Sequence, residues 1–211
     1  METQKLQDNW LRLAGKYCEN KNLLLFYLEN IIKNYSERKR YYHNLVHINA
    51  MLKQASENKN NIQNYDEILF AIWFHDIIYK ATSKNNEEKS ADFAKSTLKK
   101  ISNGKINIDN VYQLIMSTKT HEIVLTKNND NAFLLDFDLS ILGQSWELYQ
   151  TYIQNIRKEY KIYPDLLYKP ARKKVLEHFL NRENLFFTEK YQDLFEVNAR
   201  KNLEHEIQLL S

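Results

Sequence analysis

AIWFHDIIYK, residues 71–80, is the stretch on which the reading of the whole chain turns. Between Ile68 and Tyr79 the apolar residues Ile68, Leu69, Ala71, Ile72, Trp73, Phe74, Ile77, Ile78 and Tyr79 leave no polar stripe. A helix over these positions is apolar on every side and belongs at the centre of a domain. His75 and Asp76 stand side by side near its end. An imidazole and a carboxylate in such a place must be paired, hydrogen-bonded or bound to a cation, because an isolated buried charge is too costly to keep. Successive helical residues point about 100° apart, so the two could share an ion only from the helix's edge or end. Taken alone the dipeptide is common, and a core histidine bonded to a carbonyl beside a helix-terminal aspartate would explain it.

Composition points to helices everywhere else. Three glycines and two prolines among 211 residues supply little of the turn chemistry that a many-stranded protein needs, so the predicted fold class is all-α. No linker interrupts the chain, and residues 1–211 are read as a single domain. Thirty basic against 27 acidic side chains give a net charge of +3, compatible with a small anionic substrate and not the mark of a dedicated nucleic-acid binder. The single cysteine, Cys18, has no partner for a disulfide or a zinc site and is read as a buried thiol. The first ten residues, METQKLQDNW, lack a basic region followed by an apolar core. No later run approaches the roughly 20 apolar residues of a membrane span, so a soluble, cytoplasmic protein with no membrane partner is expected.

Helical spacing of apolar residues predicts helices over 6–17 and 23–35, then a basic hinge, SERKR, at 36–40. In YHNLVH, residues 42–47, His43 and His47 are four apart and would share one face of a helix. Asp66 is positioned to cap the central helix, and Asn86 to cap a helix over 87–101 whose acidic start and basic end suit the helix dipole. A short helix is expected over 108–118. After a polar loop at 127–131, AFLLDFDLSILG at 132–143 is a second apolar segment, with Asp136 and Asp138 inside it. Residues 146–160, 165–180 and 189–210 complete the helical count.

HxxxH spacing is used by zinc peptidases, but those need a glutamate after the first histidine, and Asn44 stands there. An unmetallated pair at the edge of the hinge is the plainer reading of His43 and His47 taken alone. Combined with His75, Asp76 and the later apolar carboxylates, they form a His, His-Asp, Asp order on three segments. Two imidazoles and two carboxylates suit a borderline divalent cation with positions left open for water and substrate.

At this point the chain resembles the HD superfamily of metal-dependent phosphohydrolases. YHNLVH at 42–47, FHDIIY at 74–79, NEEKSA at 86–91, TKTH at 118–121, DFDLSILG at 136–143 and ARKNLEHEI at 199–207 together look like an uncharacterised bacterial subfamily of predicted HD phosphohydrolases. The YHNxxH and DLS elements are also similar to those of cyclic-nucleotide phosphodiesterases. The resemblance implies an HD-type helical bundle with additional terminal helices. It implies one divalent metal ion (Mn, Mg, Co, Zn, Ni or Fe) held by His47, His75, Asp76 and Asp138. It further implies hydrolysis of a phosphate ester or anhydride in a small phosphorylated substrate, a nucleotide being the natural guess, and it allows a homodimer.

By the same resemblance His43 is the candidate proton donor to the leaving oxygen, a task that suits an imidazole near neutral pH. Orienting the hinge through a hydrogen bond is its other reading. Glu87 is the candidate for positioning or deprotonating the attacking water, against the alternative of a carboxylate favoured by the helix start. With the ligand Asp76, these make up the catalytic set. His121, Lys119 and Arg40 are the candidate substrate contacts, the two cations serving a phosphate. Asp136 points differently from Asp138 and is expected to support the site rather than to ligate. Arg172 and Arg200 receive no chemistry. Two rival classes stand beside hydrolysis: an HD-fold di-iron oxygenase, which would need additional histidines, and a non-catalytic metal- or ligand-binding helical module.

Overall fold

The computed structural model describes residues 2–210, with side chains from residue 4, as ten α-helices and two short 3₁₀ turns. The fold is all-α, with no strand among the described residues. No helix among them is long and apolar enough to cross a membrane. The chain divides into two compact units, residues 1–134 and 135–211. The division falls inside a helix, α7 (Asp130–Leu139), which is why no linker marks it in the sequence.

In the first unit the core is α4 (Tyr65–Phe74). Its Ile68, Phe70, Ala71, Ile72, Trp73 and Phe74 are all buried, as an apolar helix with no polar face requires. Trp10 of α1 (Glu2–Ala14) meets the rings of Phe70, Trp73 and Phe74 edge to face at 5.8–6.2 Å. Its indole N–H donates to the Leu24 carbonyl of α2 (Lys21–Tyr35) at 2.9 Å, so the ring is anchored at its polar end as well. Around α4 pack α3 (Leu45–Glu57), α5 (Asn86–Ile101) and α6 (Ile108–Ser117).

Two expected caps are corrected. Asp66 does not cap α4, because its carboxylate is taken by Lys16 at 2.7 Å and the Tyr17 hydroxyl at 2.6 Å. The N–H groups of Gln63 and Asn64, which lead into α4, donate instead to Asp130. Asn86 is the first residue of α5 rather than its cap, and its side chain serves residue 80 as described below. Cys18 is half-buried, not fully enclosed.

The second unit is built on α8 (Trp146–Glu159), α9 (Asp165–Leu180) and α10 (Glu189–Leu210), with the 3₁₀ turn Ser140–Gly143 packed against α10. Asp136, fully buried, accepts from the N–H groups of Phe187 (2.7 Å) and Thr188 (2.9 Å) and from the Thr188 hydroxyl (2.6 Å). It thereby serves as the acceptor at the start of α10. Burial pushes its carboxyl up to about 6, against the opposing pull of the Thr188 and Phe187 donors. Glu206 is likewise enclosed, accepting from Arg172 (2.7 and 3.0 Å) and from the Tyr149 hydroxyl. Arg172, which the sequence left without chemistry, is therefore half of a buried ion pair. Arg200 holds the carbonyls of Leu180, Arg182 and Glu183.

Gly143 lets the turn lie against α10. A Cβ there would fall on Phe195, within 2.8 Å of its backbone oxygen. Asn202 donates to the carbonyls of Leu142 (2.8 Å) and Gln144 (2.9 Å) on either side. Gly143→Ala is expected to lower stability by about 1–3 kcal/mol through overpacking, read as an earlier midpoint in urea unfolding; an unchanged midpoint would contradict this close approach.

Candidate metal centre

The sequence suggests a helix continuing to Tyr79, but α4 stops at Phe74. His75 is its C-terminal cap, and Asp76 lies just beyond the helix. Beyond His75 the chain leaves the helix, and side chains from other elements take up the backbone groups of Asp76, Ile77, Ile78 and Lys80. The Tyr35 hydroxyl donates to the Trp73 carbonyl (3.2 Å) and accepts the Asp76 N–H (3.3 Å). Arg40 donates to the carbonyls of Asp76 (2.5 Å) and Ile77 (2.9 Å). The Ser90 hydroxyl accepts the Ile78 N–H and donates to the Ile78 carbonyl. Asn86 does the same for Lys80 with its amide, at 3.1 and 3.0 Å. A buried segment without helix or strand needs such partners for its peptide groups, and here they come from α2, the following hinge and α5.

Within this frame the ligand atoms of His47, His75 and Asp76 lie within 4.8 Å of one another, a group that could hold a metal ion. His75 Nε2 is 3.2 Å from His47 Nε2 and 3.1 Å from Asp76 Oδ2. His75 Nδ1 lies 3.0 Å from the Ile72 carbonyl oxygen, which can only accept, so the ring proton of neutral His75 is on Nδ1. Its Nε2 therefore presents a lone pair to a carboxylate oxygen and to a second imidazole nitrogen, on a side chain 1 % exposed. One proton on Nε2 serves only one of those neighbours at a time. A cation answers to both: ligand bonds of about 2.1 Å at angles between 90° and tetrahedral put neighbouring donor atoms about 3.0–3.4 Å apart. The donor set and the committed Nδ1 proton fit a divalent cation of the imidazole- and carboxylate-binding kind.

The surrounding candidates fall in different places. His43 is not on a helix with His47. Asn44 is the N-cap of α3, its side chain accepting the Val46 N–H at 2.8 Å, so His43 belongs to the preceding turn. The two rings nevertheless approach, with centroids 6.3 Å apart, and the half-buried His43 ring stacks on Tyr79. Glu87 is half-buried in the first turn of α5 and outside the His47–His75–Asp76 group. Lys119 is exposed and His121 half-buried in the turn after α6, where His121 takes a left-handed backbone (φ 50°). That conformation is uncommon for a side-chain-bearing residue.

Arg40 differs most from its expected phosphate contact. Its side chain is 2 % exposed, its guanidinium is engaged with the carbonyls of His43, Asp76 and Ile77, and it lies over the Tyr35 ring at 5.0 Å. It braces the turn at Asp76 and Ile77.

Asp138 belongs to the second unit, half-buried in the last turn of α7 and two residues beyond the buried Asp136. Within that unit the Tyr152 phenol is pushed up chiefly by burial, with Glu206 and Asp138 adding to it against the pull of Arg172.

Tyr35 and Ser90 carried no separate weight in the sequence, and Asn86 stood there only as a helix cap. The signal that could have found Asn86 and Ser90 is their presence in NEEKSA, an otherwise polar element holding two small hydrogen-bonding residues one helical turn apart. Compared with protein-family models, with curated proteins and with solved structures, the chain finds no match.

Arg40→Lys keeps the charge but loses the fork that spans two carbonyls. The variant is expected to lose about 2–3 kcal/mol in urea unfolding and to bind manganese about tenfold or more weaker in a calorimetric titration. Wild-type affinity in this variant would show that the brace does not hold the ligands.

Proposed function

We propose that the chain is a metal-dependent phosphohydrolase acting on a phosphate ester or anhydride of a small metabolite, a nucleotide being the favoured class. The observation that supports it is the placement of His75 Nε2 at 3.2 Å from His47 Nε2 and 3.1 Å from Asp76 Oδ2, with the other nitrogen of His75 committed to a carbonyl. The hydrolytic chemistry itself comes from the resemblance to HD phosphohydrolases. When bound, a divalent ion of this type makes hydroxide available near neutral pH and offsets charge on phosphoryl oxygens.

In this reading His47 and His75 supply neutral imidazoles and Asp76 a carboxylate, with Asp138 as the fourth ligand that the resemblance adds. His43, beside His47, gives a proton to the leaving oxygen. Glu87 orients the attacking water, and Lys119 and His121 meet the substrate's phosphoryl oxygens. Arg40 drops out of the substrate contacts and becomes the support of the ligand turn.

Elemental analysis of the purified protein combined with a panel of nucleoside mono-, di- and triphosphates, cyclic nucleotides and sugar phosphates tests the reading. The expected result is a divalent ion at about one per chain and turnover of at least one phosphate class. Chelation should abolish that turnover and metal addition restore it, while His75→Ala and Asp76→Ala lose both metal and activity. Retained metal with no turnover across the panel would overturn hydrolysis in favour of a non-catalytic metal-binding module. Iron with oxygen consumption would overturn it in favour of an oxidative enzyme.

A further inference from the structure

We infer that Tyr79 is a positioning residue for His43, holding the imidazole face-on beside the His47–His75–Asp76 cluster so that its proton is delivered from one fixed direction. The inference rests on the reading of His43 as proton donor. The two rings stack with centroids 4.3 Å apart and planes 27° from parallel, an offset-stack geometry. Tyr79 is itself fixed in the backbone. Both of its neighbours in the chain are held at N–H and carbonyl by side chains of α5, Ile78 by Ser90 and Lys80 by Asn86. Arg40 completes the frame: its guanidinium donates to the His43 carbonyl at 3.2 Å and lies 5.6 Å from the Tyr79 ring centre.

His43 lies in a turn outside α3, where no helical hydrogen bond fixes it. Tyr79 supplies the face contact of its ring, which also meets Tyr42 edge-on at 5.0 Å, and Arg40 holds its backbone carbonyl. In the reaction, water oxygen forms the new bond to phosphorus, and the bond to the leaving oxygen breaks with its electron pair staying on that oxygen. The leaving oxygen takes the proton of His43, and the proton released by the attacking water restores the imidazolium. A donor placed in this way matters most for leaving groups that cannot depart as anions.

The experiment uses the full manganese-loaded chain on a series of phosphate mono- and diesters with 2,4-dinitrophenyl, 4-nitrophenyl and phenyl leaving groups, comparing wild type, His43→Asn, Tyr79→Leu and Tyr79→Phe. Tyr79→Leu is expected to lower kcat about tenfold for phenyl esters and less than about twofold for 2,4-dinitrophenyl esters, with KM unchanged. His43→Asn follows the same pattern more strongly, and Tyr79→Phe, which keeps the stack, stays near wild type. In the metal-free protein, NMR of the His43 ring protons should show an upfield ring-current shift that Tyr79→Leu removes and Tyr79→Phe keeps.

If His43→Asn shows the leaving-group dependence and Tyr79→Leu loses rate equally on all esters, or none at all, the positioning role is overturned while the proton-donor reading stands. A flat response in His43→Asn overturns both, as does an absence of wild-type turnover on every ester. A His43 ring shift that is the same in wild type and Tyr79→Leu overturns the stack itself.

Discussion

The lone pair of His75 Nε2 is the constraint around which the first unit is arranged. It is buried, its ring proton is committed to the Ile72 carbonyl, and it faces an oxygen of Asp76 and a nitrogen of His47 at about 3 Å. Two imidazole nitrogens and a carboxylate oxygen within 4.8 Å of one another, on largely buried side chains, tie three parts of the chain to one point. Keeping them together therefore needs rigid backbone on every side. That rigidity comes from ending α4 at Phe74 and pinning the backbone of Asp76, Ile77, Ile78 and Lys80 with Tyr35, Arg40, Ser90 and Asn86. The apolar helix α4 in turn is fixed by aromatic packing against Trp10.

The same logic explains why charged residues that look available in sequence are consumed by structure. Arg40 offers a planar fork of donors, and Asp76 and Ile77 have carbonyls outside any helix, so the two satisfy each other. Arg172 and Glu206 form a buried pair, and Arg200 holds three carbonyls.

Much of the architecture was visible in the sequence. Scarcity of glycine and proline and the spacing of apolar residues indicated an all-α chain, and α9 and α10 begin and end where the periodicity says, at Asp165–Leu180 and Glu189–Leu210. The convergence of His47 with His75 and Asp76 was anticipated from the resemblance to HD phosphohydrolases, whereas the apolar surroundings alone asked only for some partner to His75 and Asp76. Three features were not visible. Ile77, Ile78 and Tyr79 continue an apolar run that looks helical, and the side chains that hold this segment outside the helix, Arg40 on one side and Ser90 and Asn86 on the other, belong to other elements. His43 and His47 have helical spacing, yet Asn44 between them caps α3 and places His43 outside it. The division at 134/135 falls within a continuous helix, where composition does not change.

His47, His75 and Asp76 form a group that could hold one cation between two imidazoles and a carboxylate. X-ray absorption at the metal edge of the manganese- or zinc-loaded protein tests it most directly. The account predicts two imidazole rings in the scattering pattern, with nitrogen and oxygen donors at about 2.0–2.2 Å, and one imidazole fewer in His47→Ala. A bound metal without imidazole scattering, or a spectrum that His47→Ala leaves unchanged, would contradict it.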